Sequence, residues 1–205
     1  MSIYLEAMIL AQMATRRLME QSSHLDCHSE VSVGDTTVSF EVRRHDITHL
    51  KHIDSGGNPD WYDVGVIGAE AFGAEEIVIL LHSSASKKYA KNPTKFWQVV
   101  FELLSHEFVH VRQFELSAGK LPFGDASDEA YFEDKHEIVA FISDIIHAAS
   151  RNAVQPVDTA RYSHCTEAMS VASLNRLHVK LFKALADTEY VEALKVVYAK
   201  RFIHP

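Results

Sequence analysis

Apolar residues recur at helical spacing at the start of the chain: Ile3, Leu5, Met8, Ile9, Met13 and Leu18, with Glu6, Gln12, Arg16, Arg17 and Glu20 largely off that face. The pattern predicts an opening helix from Ser2 to about Glu20. The period then drops to two. Val31-Ser32-Val33 and Thr37-Val38-Ser39-Phe40-Glu41-Val42 alternate apolar and polar residues around Gly34-Asp35, as the half-buried strands of a hairpin do. Asp54 to Asp60 is rich in Gly, Pro, Asn and Asp and reads as loop. Two further strands are expected at Tyr62 to Gly68 and at Glu76 to His82, which makes a small sheet of about four.

Beyond Ser83 the period becomes helical almost to the end. Asn92 is a candidate N-cap with Pro93 at the first helical position. Phe96, Val99, Val100, Leu103, Leu104, Phe108 and Val111 supply the apolar stripe, Gly119 suits a left-handed C-terminal residue, and Pro122 follows. A second helix is expected from Ser127 or Asp128 to about Ser150, with further helical patterns over Thr166 to Ala186 and Glu189 to Phe202. The expected fold is α+β. A small, mostly antiparallel sheet packs beside the central helix of a single domain that fills residues 1–205. Within it, 1–83 carries the first helix and the sheet, 92–150 a helix pair, and 151–205 the C-terminal helices.

Within the helix opened by Asn92 lies Ser105-His106-Glu107-Phe108-Val109-His110, the pattern HExxH. Residues i and i+4 share a helix face, so both imidazoles can reach one metal ion. Glu107 adjoins the first ligand and can take a proton from a metal-bound water without coordinating. Zinc brings the pKa of such a water near neutrality, and a carboxylate base then promotes attack on a peptide carbonyl. The reading is therefore one Zn2+ ion held by His106 and His110, with Glu107 as catalytic base. Two ordinary histidines one turn apart are the competing reading, and the helical context weighs against it.

A zinc site of this kind needs a third protein ligand, and the second helix supplies candidates. Glu137 is preferred, because the small Ala140 one turn later on the same face lets the two helices approach. His136 is the runner-up and Glu133 the third choice. Asp144, two turns beyond Glu137, could orient a liganding histidine. Tyr131, His82 and His164 are conceivable donors to an oxyanion.

An HExxH helix followed by a helix carrying a glutamate resembles the gluzincin division of zinc metallopeptidases, the thermolysin-like arrangement in minimal form. The run His106-Glu107-Phe108-Val109-His110-Val111-Arg112-Gln113, then Tyr131, then His136-Glu137-Ile138-Val139-Ala140-Phe141, is similar in particular to small metallopeptidase-like proteins of tailed bacteriophages and bacteria. The resemblance spans about Glu76 to Ser150. It implies His106, His110 and Glu137 as ligands, Glu107 as base, and the strand Glu76 to His82 as the sheet edge on which an extended peptide lies. Two departures stand out: no histidine occurs from Val111 to Gly119, which excludes the metzincin continuation, and only a short loop, about Lys120 to Ala126, joins the two helices.

Composition narrows the partners. A formal charge of -8 and a pI near 5.9 disfavour a protein built to neutralise phosphates. That counts against nucleic acid and against a SprT-like protease acting on DNA-bound proteins. Cys27 and Cys165 stand alone with no CxxC spacing, so they suggest free thiols rather than a disulfide framework. The N-terminus lacks a basic leader and no apolar run approaches a membrane span, so a cytoplasmic protein, or one of a virion or host cytoplasm, with no membrane partner is expected. The expected activity is zinc-dependent hydrolysis of peptide bonds in a peptide or protein substrate. The rival is a non-catalytic zincin-fold protein with a structural role, such as a virion or assembly component.

Overall fold

The computed structural model describes residues 3–21, 29–43, 64–119, 136, 139 and 140. The chain divides into two compact units, one over residues 3–123 and the other over 124–205. The first holds helix α1 (Ile3–Gln21), strands β1 (Glu30–Val33), β2 (Thr36–Arg43), β3 (Val66–Phe72) and β4 (Glu76–His82), the short helix α2 (Ala85–Tyr89), and the long helix α3 (Pro93–Leu116). Of the second unit, His136, Val139 and Ala140 are helical, and Ala140 is buried. The α+β class is as expected.

The sheet is mixed, with strand order β1-β2-β4-β3. β1 pairs with β2 and β3 with β4 in antiparallel ladders, but β2 and β4 run parallel, from Thr37 opposite Glu76 to Arg43 opposite His82. The β1–β2 hairpin turns on Gly34, whose φ of 62° at the first central position is what a two-residue hairpin turn favours. The β3–β4 hairpin turns over Gly73 to Glu75, with Gly73 at φ 70°.

The structure corrects three expectations. First, Glu76–His82 is not an edge. β4 lies between β2 and β3, hydrogen-bonded on both sides. Ile77-Val78-Ile79-Leu80-Leu81 is buried throughout, because an interior strand covered on both faces needs a continuous apolar run. Among the described residues the edges are β1 and β3. Second, β3 begins four residues later than the run Tyr62 to Gly68 suggested. Gly65 takes φ 83°, outside a strand, and the tight hairpin with β4 recruits Ala69-Glu70-Ala71, despite their weak strand preference, together with Phe72. A β-bulge interrupts the ladder between Val66 and Gly68.

Third, α1 buries Leu18 but not Leu5, Ile9 or Met13 of the expected stripe. Ala7, Ala11, Ala14 and Leu18 are wholly buried, at spacings of four, three and four, while Leu5, Ile9 and Met13 are 50%, 41% and 41% exposed. α1 packs chiefly on α3 and also touches β1. Small residues let two helix backbones approach, so the alanine face is the one the interface selects. Arg112 of α3 then reaches across to α1, donating from Nε (3.0 Å) and Nη2 (2.7 Å) to Oε2 of Glu6, and also pairs with Glu115. These carboxylates raise the Arg112 pKa further, foremost through the Glu6 hydrogen bond.

α3 is held along its length. At its start the Asn92 side chain accepts from the Lys95 N–H at 3.1 Å and Pro93 occupies the first turn, as expected from sequence. Phe96 and Trp97 pack edge-on to each other and to Tyr89 of α2, and both lie against Phe40 of β2, with centroids 5.1–6.3 Å apart. Trp97 Nε1 donates to the Tyr89 hydroxyl at 3.3 Å. α3 also packs against β3. At its end Gly119 is left-handed at φ 75° and its N–H donates to the Phe114 carbonyl.

Candidate metal centre

An amphipathic helix normally turns its polar residues to water, and α3 departs from that rule. Glu102, Ser105, His106, Glu107 and His110 are all buried, in a stretch that also buries Leu103, Leu104, Phe108 and Val109. Burying polar groups is costly unless they are paired or hold a ligand, so such a concentration calls for a chemical reason.

Part of the pairing is internal to the helix. Gln98 Nε2 donates to Glu102 Oε1 at 3.2 Å, and the Ser105 hydroxyl donates back to the Phe101 carbonyl at 2.8 Å. Next along the same face, His106 and His110 turn toward each other: Nε2 to Nε2 is 3.2 Å, with ring centroids 5.0 Å apart and planes at 67°. The far nitrogen of His110, Nδ1, lies 3.2 Å from Oε1 of Gln113. Gln98, Glu102, His106, His110 and Gln113 therefore form one polar ribbon, at successive offsets of four, four, four and three residues.

The facing nitrogens test whether zinc fits. With Zn–N bonds of about 2.0–2.1 Å and tetrahedral angles, two imidazole ligands sit about 3.3–3.4 Å apart. The 3.2 Å separation matches that bite to within about the spread of such bonds. It is also a hydrogen-bond length, so without a metal one ring donates to the other in the same arrangement. The same separation therefore serves both states, and passing to the metal-bound one moves the donor ring's proton from Nε2 to Nδ1.

Glu107 is buried beside them, with 8% of its surface exposed, as for His106. At about 100° of helix per residue it projects about 100° around from His106 and about 60° from His110. It flanks the pair rather than lying in its plane.

Of the other residues singled out by sequence, His82 ends β4, where its Nδ1 lies 2.7 Å from the Ser84 hydroxyl and accepts from the Ser84 N–H at 3.1 Å. A neutral His82 so engaged carries its proton on Nε2. His136 is helical and half-buried within the second unit. Glu137, Glu133, Tyr131, Asp144 and His164 lie outside the described residues. Among the described residues no group of three His, Cys, Asp or Glu side chains forms a metal-holding cluster. The geometry brings together two imidazole nitrogens and a neighbouring carboxylate.

Gln113 and Glu102 were not singled out by motif. Their signal is the polar recurrence at 98, 102, 106, 110 and 113 inside an otherwise apolar helix, legible once HExxH is treated as part of a longer ribbon. Comparison with protein-family models, with curated proteins and with solved structures finds no match for the chain. Among the described residues no helix is long and apolar enough to cross a membrane.

Proposed function

We propose that this chain is a zinc-dependent peptidase of the HExxH type. The observation that carries the proposal is the His106–His110 pair, buried on α3 with its Nε2 atoms facing at a zinc bite distance and Glu107 buried alongside. The resemblance implies Glu137 as the third ligand, with His136 and then Glu133 as the alternatives. Zinc, when bound, supplies a water of near-neutral pKa and polarises the carbonyl to be attacked.

The chain's own residues do the rest. His106 and His110 present Nε2 to the ion and are held in register by a helix fixed at its start by aromatic packing and near its end by Arg112. Glu107, which does not coordinate, takes a proton at its carboxylate and returns it to the leaving amine. Its burial keeps competing water from the carboxylate. The substrate is a peptide in extended form. Because β4 is interior, strand addition falls to β3, which among the described residues pairs only with β4 and packs against α3.

Two variants test this together, with zinc measured by elemental analysis and hydrolysis followed on a denatured protein or peptide library. His110→Ala loses near-stoichiometric zinc. Glu107→Gln keeps zinc and loses about 10²–10⁴-fold in turnover, the usual contribution of a general base. Retained activity in Glu107→Gln overturns the mechanism. Tight zinc with no turnover of any peptide favours a non-catalytic zincin-fold protein, and turnover only of DNA-bound proteins favours the SprT-like reading.

A further inference from the structure

A histidine that binds metal through Nε2 must carry its proton on Nδ1, and what stands at Nδ1 decides whether it does. In His110 that neighbour is the carboxamide oxygen of Gln113, 3.2 Å away and three residues on, one turn along the same helix face. A carbonyl oxygen only accepts, so with Oε1 facing the ring this contact is made by an Nδ1–H, and in the neutral imidazole the Nε2 lone pair then faces His106. We infer that Gln113 is the positioning residue for His110, holding its imidazole in the Nδ1–H tautomer with Nε2 presented to the metal. The inference rests on the zinc reading given above.

Four features suit Gln113 to the task. It sits in the last turn of α3, where its own carbonyl accepts from the Ser117 N–H at 3.0 Å, so its backbone is fixed by the helix end. Its side chain is half-buried, which shields the contact from water. It comes from the same helix as the residue it orients, so both belong to one continuous element. Being neutral, it orients the ring without adding a negative charge beside Glu107. Arg112, next in the chain, is directed away to Glu6 and Glu115.

The test uses the full chain with zinc alone as probe. Gln113→Met keeps the length and removes the acceptor; Gln113→Glu restores an acceptor. Zinc affinity is measured by competition with a chromophoric chelator, and the tautomer of His110 by ¹⁵N-resolved NMR of metal-free protein at a pH where the ring is neutral. Gln113→Met is expected to weaken zinc about 10–100-fold, the usual effect of losing such a partner, with Gln113→Glu restoring it. Wild-type His110 is expected as Nδ1–H and the Met variant is expected to lose that preference, a change that a merely structural role would not produce. Equal zinc affinity in wild type and Gln113→Met, or an Nε2–H tautomer in the wild type, overturns the assignment while leaving the zinc site intact. Absence of zinc binding in the wild type overturns the zinc reading itself and this inference with it.

Discussion

Placing a methyl group on Gly65 should cost far more stability than the same change at Gly34, and the difference measures how tightly the start of β3 is pressed against α2. Both glycines have positive φ, 83° and 62°. An L-residue in the left-handed region loses roughly 1–2 kcal/mol. The lower entropy of the unfolded chain returns about 0.4–1 kcal/mol. At Gly34 nothing lies within 4 Å of an added Cβ, so the two terms stand alone and leave a net loss of about 0.5–1 kcal/mol. At Gly65 the same carbon would meet Ala85 Cα at 2.6 Å, Ala85 Cβ at 3.1 Å and Ala85 N at 3.2 Å. Two of those atoms are backbone and cannot rotate aside. Overpacking of this kind adds about 1–3 kcal/mol. The expected total for Gly65→Ala is about 2–4 kcal/mol. For a chain of this length each kcal/mol moves the midpoint by roughly 2–4 °C, so Gly65→Ala should melt about 5–15 °C below wild type and Gly34→Ala about 1–4 °C below. Thermal unfolding followed by far-UV circular dichroism reads both. If the two variants melt within about 2 °C of each other, the close approach of Gly65 to Ala85 is not present in the folded protein.

Other expectations follow from the same packing. Ala11→Leu forces a larger side chain into the α1–α3 interface and should cost about 1–3 kcal/mol or more, whereas Leu5→Gln on the exposed face should stay within about 0.5 kcal/mol; urea titration of the pair decides which face of α1 is buried, and the reverse order would refute the alanine interface. Burial pushes the Tyr4 hydroxyl up to about 12. The unfolded chain ionises this phenol near pH 10 while the folded chain keeps it neutral, so the stabilisation present below pH 10 should be lost as pH rises toward 12. Tyr4→Phe should flatten that part of the stability–pH curve, and an unchanged slope would refute the burial.

What could be read without tertiary structure is what the chain does with its near neighbours. The start of α3 at Asn92-Pro93, the left-handed Gly119 and the shared face of His106 and His110 all depend on residues within about one helical turn, and each is as expected. So is the hairpin at Gly34. The long-range choices came out differently. Leu5, Ile9 and Met13 look like a core face by hydrophobicity, but a helix interface is chosen by how closely backbones can approach, and Ala7, Ala11 and Ala14 allow the approach to α3. The run Ile77 to Leu81 does carry the mark of an interior strand. Its neighbours, however, are set by a parallel pairing with β2 across more than thirty residues, which no local pattern encodes. The centre itself divides the same way. Spacing places two histidines and a glutamate on one turn of helix; only the packed helix buries them, turns the two Nε2 atoms to 3.2 Å, and sets Gln113 against the far side of His110, because rotamers are selected by neighbours that the sequence does not list in order.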